Sequence, residues 1–266
     1  MADLYESMTD LMSKTTEGTD WDIETIDAPS DIISMAVHGG GIEIGSTELA
    51  RVIAEKGGYN YFSFVAKLSS NNTQLHVTST RYDAPRIISK IQDSKHSISV
   101  HGAAGDGSYT YMGGGNTALK NLIWKNLAEK GFDCRESPGN IAGVEPMNIA
   151  NRTTLGMGVQ LELSTQQRKD FFIDGNWSRS NREDKNNWTQ KLYDYADAVV
   201  EAVEEYQKRE IVEEENLTYY PFLESLKFKK QWFLLRLLVK SNILLRPIYI
   251  GLFLIKITRS CYIRCV

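Results

Sequence analysis

The feature that most restricts what this chain can fold into is a regular exchange between two apolar periodicities. Short runs rich in β-branched and aromatic residues read as strands: WDIETI at 21–26, DIISMAV at 31–37, YNYFSFVA at 59–66, LHVTS at 75–79, SISVH at 97–101, the stretch 109–112 and GVQLEL at 158–163. Between them stand segments with apolar residues three and four apart. These are TELARVIAEK at 47–56, residues 84–91 opened by Pro85, residues 116–130 closed by Gly131, and residues 189–208, where Leu192, Ala196, Val199, Val200 and Val203 share a face. A short helix is also expected within residues 1–18. Strands alternating with helices predict an α/β domain of three layers, an open, mixed and mainly parallel sheet with helices on both faces. Sheets of this kind carry their functional residues at the carboxyl ends of the strands.

Charge divides the chain. Residues 1–216 hold 33 acidic and 21 basic side chains, whereas residues 217–266 hold one acid, Glu224, and nine Lys or Arg. We therefore expect a folded domain over 1–212 and a basic, apolar extension over 213–266. The longest uncharged apolar run of that extension, 247–255, is nine residues, about half of what a membrane-spanning helix needs. Weak membrane-surface contact, a docking segment and a non-native extension are the readings left for it. Three cysteines, Cys134, Cys261 and Cys265, make no disulfide framework and no paired-cysteine metal motif. The opening residues carry acids where an export signal has a basic start and an apolar core, so no signal peptide is expected and a cytoplasmic location is the default. Gly39–Gly45 misses the dinucleotide-binding spacing at Ile44, and no phosphate-binding loop motif occurs. No nucleic-acid partner is expected.

Metal chemistry fits better. His38 follows the run DIISMAV, His101 ends SISV, and each is followed by glycine. The glycines after His38 let the backbone curl, so that Glu43, five residues on, can point at the same ion. An open zinc site takes three His or carboxylate ligands and leaves a position for water. Manganese and cobalt also accept such ligands. A single histidine at a strand end is more often simply hydrogen-bonded; it is the combination that points to metal. Glu162, between Leu161 and Leu163, is either on an exposed strand face or buried, and a buried carboxylate must be paired or do chemistry. Arg152 is the best fixed cation, since a guanidinium fork grips carboxylates at two points.

Four motifs in order, HGGGIEIGSTELA, LHVTSTRYDAPR, SVHG and EPMNIANRTTLGMGVQLELS, resemble the poly-γ-glutamate hydrolase family, the YjqB-like phage-related group found in phages and bacilli. The match covers most of residues 20–205. The resemblance implies a zinc carboxypeptidase-like fold and one zinc ion on His38, Glu43 and His101. It implies Glu162 as general base and acid, Arg152 with Asn151 on a substrate carboxylate or the oxyanion, His76 lining the site and Glu48 supporting the loop. The sequence departs from the family pattern at Ile44 and Ser46, neither of them an implied ligand. The activity implied is cleavage of γ-glutamyl amide bonds in an anionic polymer or peptide. The alternatives are an amidase or carboxypeptidase acting on a peptidoglycan peptide or an N-acyl amino acid, and a metal-binding protein without turnover. A polyanionic substrate on an acidic body calls for a local basic groove, and Arg81, Arg86, Arg152 and Arg168 are its candidates.

Overall fold

The computed structural model describes residues 3–218. The chain divides into two units, Met1–Arg209 and Glu210–Val266. The first carries every strand described; of the second, residues 210–218 are described, as helix. The membrane-surface reading of the tail, with Cys261 and Cys265, concerns residues outside the described ones. No helix among the described residues is long and apolar enough to cross a membrane.

In chain order the elements are α1 (Met8–Lys14), β1 (Trp21–Ile26), β2 (Ile32–Gly40), α2 (Ser46–Gly57), β3 (Asn60–Ala66), α3 (Pro85–Gln92), β4 (His96–Gly102), β5 (Thr110–Gly113), α4 (Thr117–Glu129), β6 (Cys134–Glu136), β7 (Val159–Leu163), α5 (Thr165–Lys169), α6 (Arg179–Arg182) and α7 (Gln190–Thr218). The seven strands form one sheet in the order β1-β3-β2-β4-β7-β5-β6. Pairs β1/β3 and β5/β7 are antiparallel and the others parallel. The mixed, mainly parallel sheet is thus the expected one.

Its two faces explain the sequence pattern. Ile32 and Ala36 of β2 pack with Leu49 and Ile53 of α2, Ile123 of α4 and Val199 of α7. Ile33, Met35 and Val37 belong to the opposite cluster with Met8 and Leu11 of α1 and Ile87 and Ile91 of α3. Strand β2 is buried at every position, as a central parallel strand covered on both faces must be. Pro85 opens α3 at its first turn, and Gly131 follows α4 with φ +85°.

One expected strand is absent. Residues 75–79 do not join the sheet; the segment carries the short 3₁₀ turns Asn72–Leu75 and Ser79–Arg81 on either side of an extended link. The link's polar groups have partners outside any ladder, since the Thr78 amide donates to Asp3 and the Val77 carbonyl accepts from His38. Strand β2 also runs three residues past the expected end, so His38 lies within it.

A buried pair beside α2 carries a pH signature. Burial pushes the Glu48 carboxyl from 4.5 up to about 7, against the pull of Arg182, whose Nε lies 3.4 Å from Oε1, and Oε2 has no hydrogen-bond partner. The native state therefore keeps this proton between about pH 4.5 and 7 while the unfolded chain releases it, and stability falls as pH rises through that window. Glu48→Gln removes the dependence. Denaturant unfolding at pH 5 and pH 7 should show wild type losing stability relative to E48Q by on the order of 1 kcal/mol per pH unit.

Candidate metal centre

Three strand ends assemble the site. Past His38 the chain turns back on itself: the Glu43 amide donates to the His38 carbonyl at 2.9 Å, and Gly40 adopts φ +63° with its Cα facing the Ala66 backbone. A Cβ at Gly40 would stand 2.4 Å from the Ala66 carbonyl oxygen, so both the conformation and the space demand glycine. The turn brings Glu43 Oε1 to 3.1 Å from His38 Nδ1. His101, at the end of neighbouring β4, brings its Nδ1 to 3.2 Å from His38 Nδ1 and 3.4 Å from Glu43 Oε2. The Gly102 amide donates to Glu43 Oε2 at 3.0 Å. His38, Glu43 and His101 thus converge from two distant loops. His76 joins them, with a ring nitrogen within 4.8 Å of the donors of His38 and Glu43 and its ring stacked 4.1 Å from that of His38.

The protons on these rings decide what the centre can hold. His38 Nε2 lies 2.8 Å from the Val77 carbonyl oxygen, which only accepts, so Nε2 carries the hydrogen and a neutral His38 has a bare Nδ1. That lone pair faces a carboxylate oxygen and a second imidazole nitrogen. His101 Nε2 is engaged by Ser99 Oγ at 2.8 Å, leaving Nδ1 for the same centre. Acceptors turned toward one another at about 3 Å repel unless a proton or a cation lies among them. The separations from His38 Nδ1, 3.1 Å to Glu43 Oε1 and 3.2 Å to His101 Nδ1, are close to the edge, about 3.3 Å, of a tetrahedron with arms of 2.0–2.1 Å. A ligating histidine whose other nitrogen donates to a backbone carbonyl is the usual arrangement around zinc. The donors gathered here suit a metal ion of the zinc type, with His76 as well as His101 within reach of His38 and Glu43.

Electrostatics agree. Burial favours the neutral acid at Glu43, but the His38 and His101 rings beside it outweigh that and hold the carboxyl well below the usual range. Burial disfavours the imidazolium at His101, yet Glu43 tips that group upward. Glu162 stands opposite His101 in the β4/β7 register and is buried, which resolves the two readings of its strand face. Burial raises its pKa despite His101 nearby, and Gln160 Nε2 donates to its Oε1 at 2.8 Å.

A cleft of about 520 Å³ opens over these groups, lined among others by His38, Glu43, His76, His101, Gln160 and Glu162. Its rim is residues 78–80 on one side and 139–148 on the other. No Lys or Arg is among the described lining residues. The expected basic groove is thus not formed by Arg86 or Arg152. Arg86 grips Glu17 through both nitrogens at 2.7 Å, and Arg152 Nη1 donates to the Tyr82 carbonyl at 2.7 Å. Asn151, expected on substrate, does not line the cleft; its amide is spent on four backbone groups, donating to the Gly143 and Glu145 carbonyls and accepting from the Gly115 and Gly158 amides. It anchors the rim instead of touching the cleft. Arg168 is buried and donates to the carbonyls of Ile44, Ala103 and Leu163, one from beyond each strand that bears a site residue or at its end. Sequence alone gives no signal for that role, because backbone carbonyls carry no side-chain signature. Gln160 stands two residues before Glu162 on the same strand face, a period-2 spacing that the sequence itself displays.

Comparison with known proteins gives a consistent family. The family model described as poly-gamma-glutamate hydrolase matches residues 5–198. The prophage-derived protein YoqZ of Bacillus subtilis strain 168 is 31% identical over 206 residues, 77% of this chain and 73% of that protein. YndL of the same organism is 32% identical over 174 residues, 64% of this chain and 67% of its own. Among solved structures, a bacteriophage poly-gamma-glutamate hydrolase superposes with TM-score 0.75 at 38% identity, covering 78% of this chain and 99% of that one. A zinc-free apo structure of YndL superposes with TM-score 0.71 at 29% identity, covering 76% and 98%.

Proposed function

Because the chain belongs to the poly-γ-glutamate hydrolase family, we propose that it cleaves γ-glutamyl amide bonds, with one zinc ion held by His38, Glu43 and His101 and with Glu162 as general base and acid. The observation that carries this reading is the meeting of two imidazole nitrogens and a carboxylate of lowered pKa at about 3 Å, beside a buried glutamate of raised pKa. That a relative was solved in a form described as zinc-free also supports zinc as the ion.

Zinc bound there would act as a Lewis acid that acidifies a coordinated water and polarises a carbonyl. The protein supplies the rest. Oε1 of Glu162 is occupied by the Gln160 amide, so Oε2 is the atom left to take the proton of the attacking water. Burial favours the protonated carboxyl, so Glu162 keeps that proton until the leaving amine can receive it. With no cationic side chain on the described cleft wall, the α-carboxylates of a γ-linked polymer would be met by the hydroxyls and amides of Thr78, Ser79, Thr80, Asn140 and Asn148. Neutral donors of that kind hold an anion without the bidentate fork of arginine.

The test is elemental analysis of the purified full chain together with depolymerisation of poly-γ-glutamate, beside a panel of α-linked glutamyl peptides, N-acyl amino acids and peptidoglycan peptides. One zinc per chain and selective cleavage of the γ-linked polymer are expected. Turnover of the peptidoglycan peptide or the N-acyl amino acid alone would move the substrate elsewhere; zinc without any turnover would leave a binding protein.

A further inference from the structure

We propose that Asp3 is a positioning residue of the centre, acting from the opening segment of the chain through the link 76–78. The inference rests on the metal reading above for its functional meaning, but its geometry stands on its own.

Asp3 precedes the residues matched by the family model. Its side chain is only 3% exposed and accepts at both oxygens, Oδ1 from His76 Nδ1 at 2.7 Å and Oδ2 from the Thr78 amide at 2.8 Å. A carboxylate so placed clips the two residues that flank Val77. The carbonyl between them is the one that takes the Nε2 hydrogen of His38. Asp3 therefore acts on the centre by two routes. It fixes the His76 ring with the hydrogen on Nδ1, leaving Nε2 bare, while that ring stacks on His38 and lines the cleft. It also holds the Val77 carbonyl where it keeps the His38 hydrogen on Nε2 and turns the bare Nδ1 toward Glu43 and His101.

The segment carrying Asp3 is itself anchored. Met8 and Leu11 are buried in the cluster beneath β2, and the Thr9 amide donates to Asp83 at 2.8 Å. Asp3 is thus the end of a fixed arm. The link 76–78 has no strand partner of its own, so nothing in the sheet ladder replaces the clip. Partners one step outside a metal's ligands typically change affinity by about 10–100-fold.

The experiment compares full-length wild type with Asp3→Ala, Asp3→Asn and Glu17→Gln. Zinc affinity is measured by competition with a chromophoric chelator, and histidine tautomers by long-range proton–nitrogen spectra of the metal-free proteins. In wild type we expect His38 as the Nε2–H form and His76 as the Nδ1–H form. Asp3→Ala should weaken zinc binding by about tenfold or more and mix the tautomers of both rings. Asp3→Asn, which keeps one oxygen acceptor, should fall between and serves if the alanine variant does not fold. Glu17→Gln breaks the ion pair with Arg86 on the same arm and should leave affinity and spectra as in wild type. Unchanged affinity and spectra in Asp3→Ala would overturn the proposal, as would an equal loss in Glu17→Gln, which would mean general loosening. If wild type binds no zinc, the proposed function falls, while the metal-free spectra still decide the role of Asp3.

Discussion

Glu162→Gln should lower the turnover of γ-glutamyl substrate by about 10²–10⁴-fold, the usual contribution of a positioned acid–base group, while zinc affinity stays at the wild-type level. The substitution is close to isosteric, and Gln160 can still donate to the new side-chain oxygen as it does to Oε1. What is lost is the second oxygen and its capacity to take a proton. Because Glu162 lies beside the cluster of His38, Glu43 and His101 but is not one of the facing acceptors, zinc should bind as before. The measurements are kcat on poly-γ-glutamate and zinc affinity of the same sample. Wild-type turnover in the variant would remove Glu162 from the mechanism; loss of zinc with loss of turnover would make it a ligand.

Adding zinc to the metal-free protein should raise its melting temperature by about 8–16 °C when free zinc is a thousandfold above Kd. That excess is worth about 4 kcal/mol to a native state that alone binds the ion. A domain of this size gains about 2–4 °C per kcal/mol. The direction follows from the facing acceptors: without a cation, a carboxylate and two imidazole nitrogens lie at 3.1–3.4 Å around one point. His101→Ala should abolish most of the rise, because it removes the donor supplied by β4. Scanning calorimetry with chelator and with graded zinc checks this. An equal rise in wild type and His101→Ala would place the ion elsewhere.

Much of this was readable beforehand, for definite physical reasons. Strands β1, β2 and β4 are short runs of apolar and β-branched residues with turn residues at their ends, and helices α3 and α4 announce themselves through Pro85 and Gly131. That His38, Glu43 and His101 come together was legible because a metal site, the reading they suggest, restricts residue type as well as spacing. Residues 75–79 misled, since LHVTS alternates as a strand does while its backbone groups are taken by Asp3 and His38. Asn151 and Arg152 stand in a motif, yet their polar atoms bind backbone carbonyls and amides of this same chain. A motif reports that a residue type is needed, and does not say whether substrate or a neighbouring loop needs it. Asp3 and Arg168 act on main-chain partners from far away in sequence, which no local pattern encodes.

Arg168 joins the carbonyls of Ile44, Ala103 and Leu163, and Gly102 leaves it room, since a Cβ there would stand 2.5 Å from its guanidinium carbon. The floor of the cleft is in this way sewn to a single stud, so no one of its three loops can be reshaped without pulling on the other two. The wall at 139–145 is held by other ties, the Ala142 carbonyl accepting from the Gly114 amide and the Ile141 carbonyl from Gln160 Nε2. Gln160 spans the two, its Nε2 donating both to the Ile141 carbonyl and to Glu162 Oε1, so a reshaped wall would be felt at that carboxylate.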